Sequence, residues 1–450
     1  MSKIIKLTKG FDIQLDGEAL RFSGKTELSR NFAIKPTDFK GIIPKLDVAV
    51  GDEVSAGDPL FHSKNNEQIK FTSPVSGEVI EIVRGEKRAI MEIIVLSDSK
   101  NKFKDFGALD PKSSNREEVV SKLLESGTWP MIRQRPFNKI ADPNEKPKSI
   151  FISGFDSAPL GADYNFIVEN NSDNFQTGID VLRQLTDGKI HLNLSSRLNN
   201  AHAFEDAHGV EITYFDGPHP AGNVGVQIHH LDPVITKKDL VWFVNPQDLI
   251  IIGKLFRTGK FDASKLIGLC GTSAKKRIYY EMCIGANVSP ILDNNLEDGE
   301  VRVISGNVLT GKLMGSNGYL GYYDQMLTCI PEGNHEEFLG WLLPSYERPS
   351  ISRTFPSFLF PNKKYKVNTN MHGEERAYVV TGEFEKVMPM DILPLQLIKA
   401  CLSKDIENME ALGIYEVTEE DFALCEFICT SKSPIQEIIG EGLEYIEKEA

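Results

Sequence analysis

Short stretches of alternating apolar and polar residues dominate the first part of the chain, residues 1–102. The run Glu78-Val79-Ile80-Glu81-Ile82 is an example, and glycine–aspartate pairs end the stretches VAVGD and VSAGD. An alternation with a period of two predicts strands with one buried face, and such pairs are typical of tight turns between antiparallel strands. We therefore expect a domain of short β-strands without a long helix.

After residue 102 the pattern changes, and strands alternate with helices. The segment 113–127, SSNREEVVSKLLESG, predicts an amphipathic helix with two early glutamates and a glycine after its end. A loop is expected over 127–148. The segments that follow predict strands at 149–155, 189–195 and 210–217, with helices between them at 174–188 and 199–209. A last segment, 239–261, predicts a strand followed by a helix. Such alternation is typical of an α/β layer with a largely parallel sheet.

The remainder of the chain divides into a β-rich part and a helical part. Strand-like segments interrupted by glycine predict a compact, mostly β unit between residues 261 and 332. The proline-rich stretch 342–370 predicts an extended connection over the surface, and helical spacing follows it to the end. We expect four parts, with limits at 1–102, 103–260, 261–332 and 333–450.

Composition and charge narrow the class of protein. A chain of 450 residues with 41% hydrophobic content predicts about three domains of ordinary size. No apolar run approaches the ~20 residues that cross a bilayer, and the first residues do not resemble a signal peptide. A net charge of −14 argues against sequence-independent binding of nucleic acid, which needs clustered positive charge. We expect a cytoplasmic protein with no transmembrane segment and no nucleic-acid partner.

The cysteines are scattered, and no two of them form a Cys-x-x-Cys motif. In a cytoplasmic chain this distribution argues against disulfides and against an iron–sulfur cluster. Cys425 and Cys429 lie four residues apart and would share one helix face. We interpret them as ordinary buried thiols.

Two motifs with a chemical interpretation are weak. The stretch GNVLTGKL at 306–313 nearly matches a phosphate-binding loop, but Leu313 replaces the hydroxyl residue that would hold Mg²⁺. Its β-rich context favours a hairpin turn.

The stretch 216–233, DGPHPAGNVGVQIHHLDP, contains residues that could surround a metal ion: Asp216, His219, His229, His230 and Asp232. Their spacing fits no familiar ligand pattern, and adjacent histidines on a strand point to opposite faces. We favour a glycine- and proline-shaped loop whose histidines hydrogen-bond the backbone, and we predict no metal ligand.

The stretch WPMIRQRPF at 129–137 combines arginines with aromatic residues. Trp129, Arg133, Arg135 and Phe137 are residue types that anchor protein interfaces. They could equally cover a flat ring such as a quinone, and ordinary surface structure is an equal alternative. We predict partner or quinone contact at these four residues.

The segment 57–82, GDPLFHSKNNEQIKFTSPVSGEVIEI, resembles a biotinyl or lipoyl carrier domain. Such carriers are small flattened barrels with a modified lysine at a tight turn, and Pro74 and Gly77 match their return strand. At the turn this chain has Asn65 and Asn66. We therefore predict the carrier fold without its carrier lysine; the alternative, a true carrier, would require a modified lysine.

Over its whole length the chain resembles the A subunit of the sodium-translocating NADH:quinone reductase, a bacterial respiratory membrane complex. The stretches that carry the resemblance are KLTKGFDIQLDG, FTSPVSGEVIEIVRGEKR, LTDGKIHL, GPHPAGNVGVQIHHLDPV, RVISGNVLTG, VMPMDILPLQLIKA and EEDFALCEFIC. The resemblance implies an α/β multidomain fold. Its parts would be a barrel-sandwich hybrid domain, a Rossmann-like α/β domain, a β-grasp domain of the soluble-ligand-binding type and a C-terminal helical region.

The implied architecture is similar to the NADH- and flavin-binding subunit of respiratory complex I, in which a glycine-rich loop holds flavin and nucleotide. The equivalent stretch here is SGTWPMIRQRPFNK, with Trp129, Met131 and Arg133 where bare backbone must approach phosphates. Cysteines with cluster spacing are also missing. The resemblance therefore implies that this chain binds no cofactor of its own and has no catalytic residue.

The resemblance also implies a place in the cell. The chain would be a peripheral subunit at the cytoplasmic face of the bacterial inner membrane, in a complex that oxidises NADH, reduces ubiquinone or menaquinone and pumps Na⁺. FAD and a 2Fe–2S cluster would lie in the F subunit, and FMN in the B and C subunits. The partners would be the B, C, D, E and F subunits, chiefly B and C. This chain would be a scaffold, with quinone as a candidate ligand; the alternative is a stand-alone oxidoreductase that binds flavin or nucleotide itself.

Overall fold

Four β-sheets and a C-terminal group of helices make up the chain in a computed structural model, which describes residues 3–25, 29–197, 202–334, 338–339 and 342–449. The strands of the described residues are β1 (Lys3–Lys6), β2 (Leu20–Gly24), β3 (Asn31–Ile34), β4 (Pro44–Leu46), β5 (Glu53–Val54), β6 (Pro59–Ser63), β7 (Lys70–Thr72), β8 (Gly77–Arg84), β9 (Ile90–Ser97), β10 (Arg133–Arg135), β11 (Lys139–Ile140), β12 (Ser149–Ser153), β13 (Lys189–Ser195), β14 (Glu211–Asp216), β15 (Val241–Phe243), β16 (Ser264–Cys270), β17 (Ile278–Cys283), β18 (Val301–Ser305), β19 (Lys312–Met314) and β20 (Met326–Pro331).

Helices are concentrated in the middle and at the end of the chain. They are α1 (Arg116–Glu125), α2 (Tyr164–Glu169), α3 (Ser172–Arg183), α4 (His202–Glu205), α5 (Val224–Leu231), α6 (Pro246–Thr258), α7 (Ser289–Leu292), α8 (Phe384–Val387), α9 (Pro394–Ser403), α10 (Ile406–Ala411), α11 (Ala423–Ile428) and α12 (Ile435–Glu449). The helix predicted over 199–209 is described from His202 onward, as α4, and residues 198–201 lie outside the described part. Among the described residues, no helix is both long and apolar enough to cross a membrane.

Two small antiparallel sheets form the domain that the N-terminal alternation predicts. Their strand orders are β3-β9-β8-β5 and β4-β6-β7. Inside, the rings of Phe61 and Phe71 stack with their centroids 4.4 Å apart, and Val79 is fully buried while its neighbour Ile80 is 36% exposed. The predicted barrel of short strands is confirmed, and Asn65 and Asn66 lie in the turn between β6 and β7.

A seven-stranded sheet forms the centre of the α/β part, in the order β1-β14-β13-β12-β15-β10-β11. The strands from β1 to β15 in this order are parallel. On β12, Ile150 and Ile152 belong to the core under α3 and α6, whereas Phe151 belongs to a second core with α5 and the C-terminal helices. A strand buried on both faces is typical of a parallel sheet. The predicted α/β layer is confirmed.

The structure corrects two predictions in this region. The expected loop over 127–148 contains β10 and β11, and β10 pairs antiparallel with β15, so that Arg133 lies opposite Phe243. Because β10 is only three polar residues long, hydrophobic alternation could not reveal it. The stretch 216–233, expected as a loop, contains helix α5. Its alternating valines have the spacing of a strand, whereas Val224 and Ile228 have the spacing of a helix. His229 and His230 are therefore neighbours on a helix.

The fourth sheet has six strands in the order β19-β18-β20-β16-β17-β2. It contains the β-strands predicted between residues 261 and 332. β18 and β19 pair antiparallel around the stretch GNVLTGKL, which confirms the hairpin interpretation.

The first two strands of the chain leave the N-terminal barrel and complete the other sheets. β1 pairs parallel to β14 at the edge of the seven-stranded sheet, with Lys3 opposite Thr213. β2 pairs parallel to β17 at the edge of the six-stranded sheet. Hydrophobic alternation predicts that a segment is a strand but not which strand it will join. Residues 3–24 therefore tie the two larger sheets to the start of the chain.

Candidate functional site at the crossover of the parallel sheet

The order of the parallel strands locates the candidate site. From β12 the chain proceeds through β13 to β14 on one side of β12, and then returns to form β15 on the other side. The crossover therefore lies between β12 and β15. In open α/β sheets, ligands bind in the crevice beyond the carboxyl ends of the strands at such a crossover.

A cavity of about 200 Å³ occupies this position. Its walls include Phe155 and Asp156, which follow β12, and Val244 and Asn245, which follow β15. The part of the chain with the six-stranded sheet and the C-terminal helical region supply the remaining walls, among them Tyr323 and Glu420. The cavity is thus closed by three parts of the chain.

Arg133 on β10 projects into the cavity between two aromatic rings. The centre of its guanidinium lies 4.5 Å from the centroid of Phe243 and 4.5 Å from that of Tyr323. The hydroxyl of Tyr323 donates to the carbonyl of Pro130 at 2.7 Å, which fixes that ring. Cation–π contacts of this kind hold a guanidinium in one orientation. The sandwich fills the crevice on the side of β15.

Asp156 brings a carboxyl group into the cavity from the end of β12. Its Oδ1 accepts a hydrogen bond of 2.8 Å from the backbone N–H of Ala158. Burial raises the pKa of this carboxyl to about 6, although that hydrogen bond opposes the shift. Nearby, Asn245 donates through Nδ2 to the hydroxyl of Tyr164 at 2.7 Å, and burial raises the pKa of that phenol.

His219 closes the floor of the cavity. Its ring is 3% exposed, and its Nδ1 lies 3.0 Å from the hydroxyl of Ser157. Burial lowers the pKa of this histidine to about 4, so that the ring is neutral at neutral pH. The ring therefore contributes hydrogen bonds and no charge.

Glu420 reaches the cavity from the C-terminal region and is paired with Arg135. The guanidinium of Arg135 donates to Glu420 Oε1 at 2.6 Å and to Asp421 Oδ2 at 3.3 Å. Arg135 and Asp421 are almost completely buried, with 1% and 0% of their side chains exposed. Burial raises the pKa of Glu420, and the charge of Arg135 opposes that shift.

The structure separates the four residues predicted to contact a quinone or a partner. Arg133 alone among them lines the cavity. Trp129 is fully buried, donates from its indole to the carbonyl of Ala141 at 2.7 Å and packs edge-on against Trp242. Arg135 lies in the buried ion pair, and Phe137 is 8% exposed and packs against Tyr415. These three side chains stabilise the fold of this chain rather than forming an exposed patch.

The candidate metal ligands of the stretch 216–233 contact separate partners. His229 Nδ1 contacts Glu416 at 2.6 Å, His230 Nε2 lies 2.8 Å from the carbonyl of Pro389, and Asp232 pairs with Lys148. Within the described ranges, no group of three or more histidine, cysteine, aspartate or glutamate residues could hold a metal ion. The interpretation that histidines of this stretch bond the backbone is confirmed for His230 and for His229, whose Nε2 accepts from the backbone N–H of Asp391 at 3.0 Å.

All six cysteines are free thiols, and Cys425 and Cys429 are buried as predicted. Burial raises the pKa of Cys425, and the same holds for Cys270, Cys283, Cys329 and Cys401. A raised pKa keeps a thiol protonated and unreactive at neutral pH. None of the five is placed to act as a nucleophile.

The sequence did not single out the other residues of the cavity: Asp156, Tyr164, Asn245 and Glu420. Asp156 and Asn245 follow predicted strands, so a search for polar residues at strand ends could have found them. Glu420 could not have been found in this way, since it comes from a helical region far along the chain. The cavity as built can hold a small polar group through one guanidinium and several hydrogen-bonding groups.

Three family models match the chain in order. They are described as the NqrA N-terminal barrel-sandwich hybrid domain over residues 5–98, the NqrA second alpha/beta domain over 114–261 and the NQRA C-terminal domain over 266–315. The matches identify the barrel as a barrel-sandwich hybrid and the central region as an α/β domain. Together they cover more than half of the chain.

Similar proteins match over the whole length. Proteins named as the A subunit of the Na(+)-translocating NADH-quinone reductase are 37% identical in Yersinia pestis bv. Antiqua, 36% in Rhodopirellula baltica and 36% in Vibrio anguillarum. Each alignment covers 99% of this chain and 98–100% of the relative. A crystal structure of an NAD⁺-reducing [NiFe]-hydrogenase also aligns, at 10% identity over 75% of this chain and 64% of that chain, with a TM-score of 0.40. That score is too low to support an argument. The full-length matches show that the chain belongs to the A-subunit family of the Na(+)-translocating NADH-quinone reductase.

Proposed function

We propose that the chain is a peripheral subunit of a membrane complex that oxidises NADH, reduces ubiquinone or menaquinone and transports Na⁺, and that its own role is that of a scaffold. The observation that carries the scaffold role is the crevice at the crossover. Where an open α/β sheet would take a ligand, this chain places its own Arg133 between Phe243 and Tyr323. The crevice is used for contacts between parts of the chain.

The residues of the crevice do not fit a flavin or a nucleotide. Its volume of about 200 Å³ is below the ~300–1,000 Å³ typical of ligand pockets. Phosphate-binding crevices present backbone N–H groups to the anion, whereas the N–H of Ala158 is here taken by the carboxyl of Asp156. A second carboxyl, that of Glu420, also faces the cavity. A stand-alone oxidoreductase with its own flavin is therefore not supported.

The redox groups belong, in this proposal, to the partners in the complex. FAD and a 2Fe–2S cluster lie in the F subunit and FMN in the B and C subunits. The chain docks chiefly on the membrane-embedded B subunit and on the C subunit, at the cytoplasmic face of the bacterial inner membrane. Support comes from the relatives, which are named as one part of a reductase with several subunits. A scaffold without its own cofactor agrees with a crevice whose volume, about 200 Å³, is too small for a flavin or a nucleotide.

We also infer that the seven-stranded sheet is Rossmann-like and that the six-stranded sheet belongs to a β-grasp domain of the soluble-ligand-binding type. The parallel order with a crossover between β12 and β15 supports the first inference. Domain limits near residues 102, 260 and 332 are supported by a change of sheet at the first two points and by the end of β20 at Pro331 for the third. Residues 3–24 cross these limits through β1 and β2. Within the described residues, a single bridge between Phe32 and Ala286 also joins the barrel to the part with the six-stranded sheet.

A quinone contact at the crevice is a second part of the proposal. Of the four residues considered, Arg133 alone lines the cavity, where its guanidinium could donate to a quinone carbonyl. A hydrogen bond from a charged donor contributes about 1.5–3 kcal/mol. Replacing Arg133 with alanine should therefore weaken quinone affinity of the assembled complex by about 10- to 100-fold.

The matched variant for this test is Phe137→Ala, because Phe137 packs against Tyr415 away from the cavity. Steady-state kinetics with a soluble quinone would give KM and kcat for both variants in the whole complex. We expect KM to rise for Arg133→Ala and not for Phe137→Ala. An unchanged quinone KM in both variants would remove the quinone contact from the proposal.

The scaffold role is tested by recovering the tagged chain from detergent-solubilised membranes and identifying its partners by mass spectrometry. We expect several membrane-spanning and flavin-bearing subunits together with NADH:quinone activity. The purified chain alone should be colourless, and its intact mass should equal that of the unmodified sequence. Recovery of the chain alone, in detergent that keeps other respiratory complexes intact, would falsify the proposal.

A further inference from the structure

Exposed apolar side chains are concentrated in one loop before the C-terminal helices, residues 342–366, which we call the basic apolar loop. Its large apolar residues with at least 36% of their surface exposed are Leu342, Leu343, Tyr346, Phe358, Leu359 and Phe360. Single exposed apolar residues are ordinary on a protein surface, whereas a cluster marks an interaction site. The rings of Tyr346 and Phe360 lie 6.3 Å apart, so the two ends of the loop meet.

Buried residues fix this loop to the body of the protein. Tyr365 is 5% exposed, and its backbone exchanges hydrogen bonds with the segment before β2: its N–H donates to Gln14 at 2.7 Å, and its carbonyl accepts from Asp16 at 3.0 Å. Ser357 is 1% exposed and lies beneath the turn that carries Phe358 and Leu359. The apolar side chains are therefore displayed outward by an anchored backbone.

The charge of the loop is opposite to that of the whole chain. Residues 342–366 contain two arginines and three lysines but only one acidic residue, Glu347, in a chain whose net charge is −14. Lys364 and Lys366 are exposed, and Lys364 pairs with Glu18 at 3.1 Å. Lys363 Nζ donates to the carbonyl of Tyr346 at 2.9 Å and pairs with Glu347 at 2.5 Å. The loop thus combines exposed apolar side chains with positive charge. Such a surface is complementary to a partner that has negative charge at its surface and apolar groups beneath it.

We propose that the basic apolar loop binds the surface of an anionic lipid bilayer. The apolar rings and leucines would enter the boundary between headgroups and acyl chains, while the lysines would meet the phosphates. Two weak signals of this kind, an apolar insertion and a polybasic patch, together give stable peripheral binding. The irregular backbone of the loop would remain among the headgroups, where its polar groups stay hydrated. The inference rests on the proposed peripheral role but does not require any other subunit of the complex.

The experiment measures flotation of the purified full chain with vesicles of phosphatidylcholine alone and of phosphatidylcholine mixed with phosphatidylglycerol. We expect binding to the mixed vesicles only, with loss at high salt. The double variant Lys364→Gln, Lys366→Gln should lower the partition constant about 25-fold, because each lysine near an anionic surface contributes a factor of about five. The double variant Phe358→Ser, Leu359→Ser should also reduce binding.

Matched controls remove the same groups elsewhere on the surface. Lys275→Gln with Lys276→Gln takes away two exposed lysines, and Phe22→Ser removes an aromatic ring that is 61% exposed. Both controls should bind mixed vesicles like the unmodified chain. Equal loss in the controls, or no binding to mixed vesicles at all, overturns the proposal.

Partner recovery separates the lipid proposal from the scaffold proposal. One outcome is that the loop variants do not recover the other subunits in detergent and the unmodified chain does not bind vesicles. In that case the loop is a protein interface and the lipid proposal is wrong. If the chain binds mixed vesicles but recovers no partners, the lipid proposal holds and the scaffold role fails.

Discussion

At the scale of single residues, Arg135 links the α/β sheet to the C-terminal region through a buried charge. Its guanidinium and the carboxyl of Asp421 are almost completely inaccessible, and Glu420 completes the cluster at 2.6 Å. A buried pair of this kind adds little net stability compared with apolar residues, but removing one partner leaves an uncompensated charge. The cluster therefore makes the fold sensitive to any change at Arg135.

Replacing Arg135 with leucine should lower the free energy of unfolding by about 3–5 kcal/mol, because Asp421 stays buried without its cation. The measurement is urea unfolding followed by tryptophan fluorescence. Arg197→Ala is the control: Arg197 pairs with Asp12 and Asp216 at the surface, with 48% of its side chain exposed, and should cost less than about 1 kcal/mol. Equal effects of the two substitutions would contradict this interpretation.

Asp156 predicts a dependence of stability on pH. Burial raises its pKa to about 6 from the ordinary 3.8, so between these values the folded chain holds a proton that the unfolded chain has lost. Its contribution to stability therefore falls as pH rises through this window. Asp156→Asn cannot ionise, and it should become more stable than the unmodified chain by about 1–3 kcal/mol at pH 7.

The measurement for Asp156 is the difference in unfolding free energy between the two proteins from about pH 4 to pH 7. Burial lowers the pKa of His219 to about 4, which gives the opposite trend, but this trend is present in both proteins and cancels in the difference. A difference that stays constant over the window would show that Asp156 ionises normally.

Residue types alone could not assign the roles of the stretch 129–137. Arginine and aromatic residues pack against each other in interfaces, in ligand sites and in protein interiors through the same contacts. Trp129 and Arg135 find their partners in Ala141, Glu420 and Asp421, two of which lie far along the chain. The sequence predicted contact with a partner or a quinone, and the fold places Trp129 and Arg135 against residues of this chain.

At the scale of elements, helices α3 and α6 approach each other closely because each has a glycine at the contact. A Cβ on Gly253 would lie 1.8 Å from the carbonyl oxygen of Asn174, and one on Gly178 would lie 2.5 Å from that of Leu249. Backbone atoms cannot move aside as a flexible side chain can. The two glycines therefore set the distance between the helices on one face of the sheet.

Gly253→Ala should lower stability by about 1–3 kcal/mol, since the two helices must separate to admit the methyl group. Gly315→Ala is the matched control, because no atom lies within 4 Å of its added Cβ. Thermal unfolding by circular dichroism compares the two variants. A Gly253→Ala protein that unfolds at the same temperature as the control would mean that the close contact is not maintained in solution.

Periodicity was sufficient to predict most elements but not their partners. The predicted helix at 113–127 begins where Asn115 and Glu118 form a capping box and ends before Gly127, and all three are visible in the sequence. Strand β10 and helix α5 were missed, the first because it is short and polar and the second because its valines alternate. The pairing of β1 with β14 depends on contacts across the chain, which no local pattern contains.

At the scale of the whole molecule, β1 and β2 hold the barrel and the two larger sheets together. Cutting the chain after Ser99, in the exposed connection that follows β9, should therefore leave the two pieces associated. The test inserts a site for a sequence-specific protease there and compares size-exclusion elution after cleavage, with and without urea. We expect one species without urea and two with it. Two species without urea would show that the first strands do not hold the sheets together.

Strand β1 is synthesised long before the strand with which it pairs. β1 leaves the ribosome before its partner β14, which lies about 210 residues later in the chain. At typical translation rates of ~5–20 residues per second, β1 waits roughly 10–40 s for that partner. During that interval an apolar nascent strand has unpaired backbone groups, a state that invites aggregation. The polar lysines at both ends of β1, Lys3 and Lys6, would keep the waiting strand hydrated until the sheet can close on it.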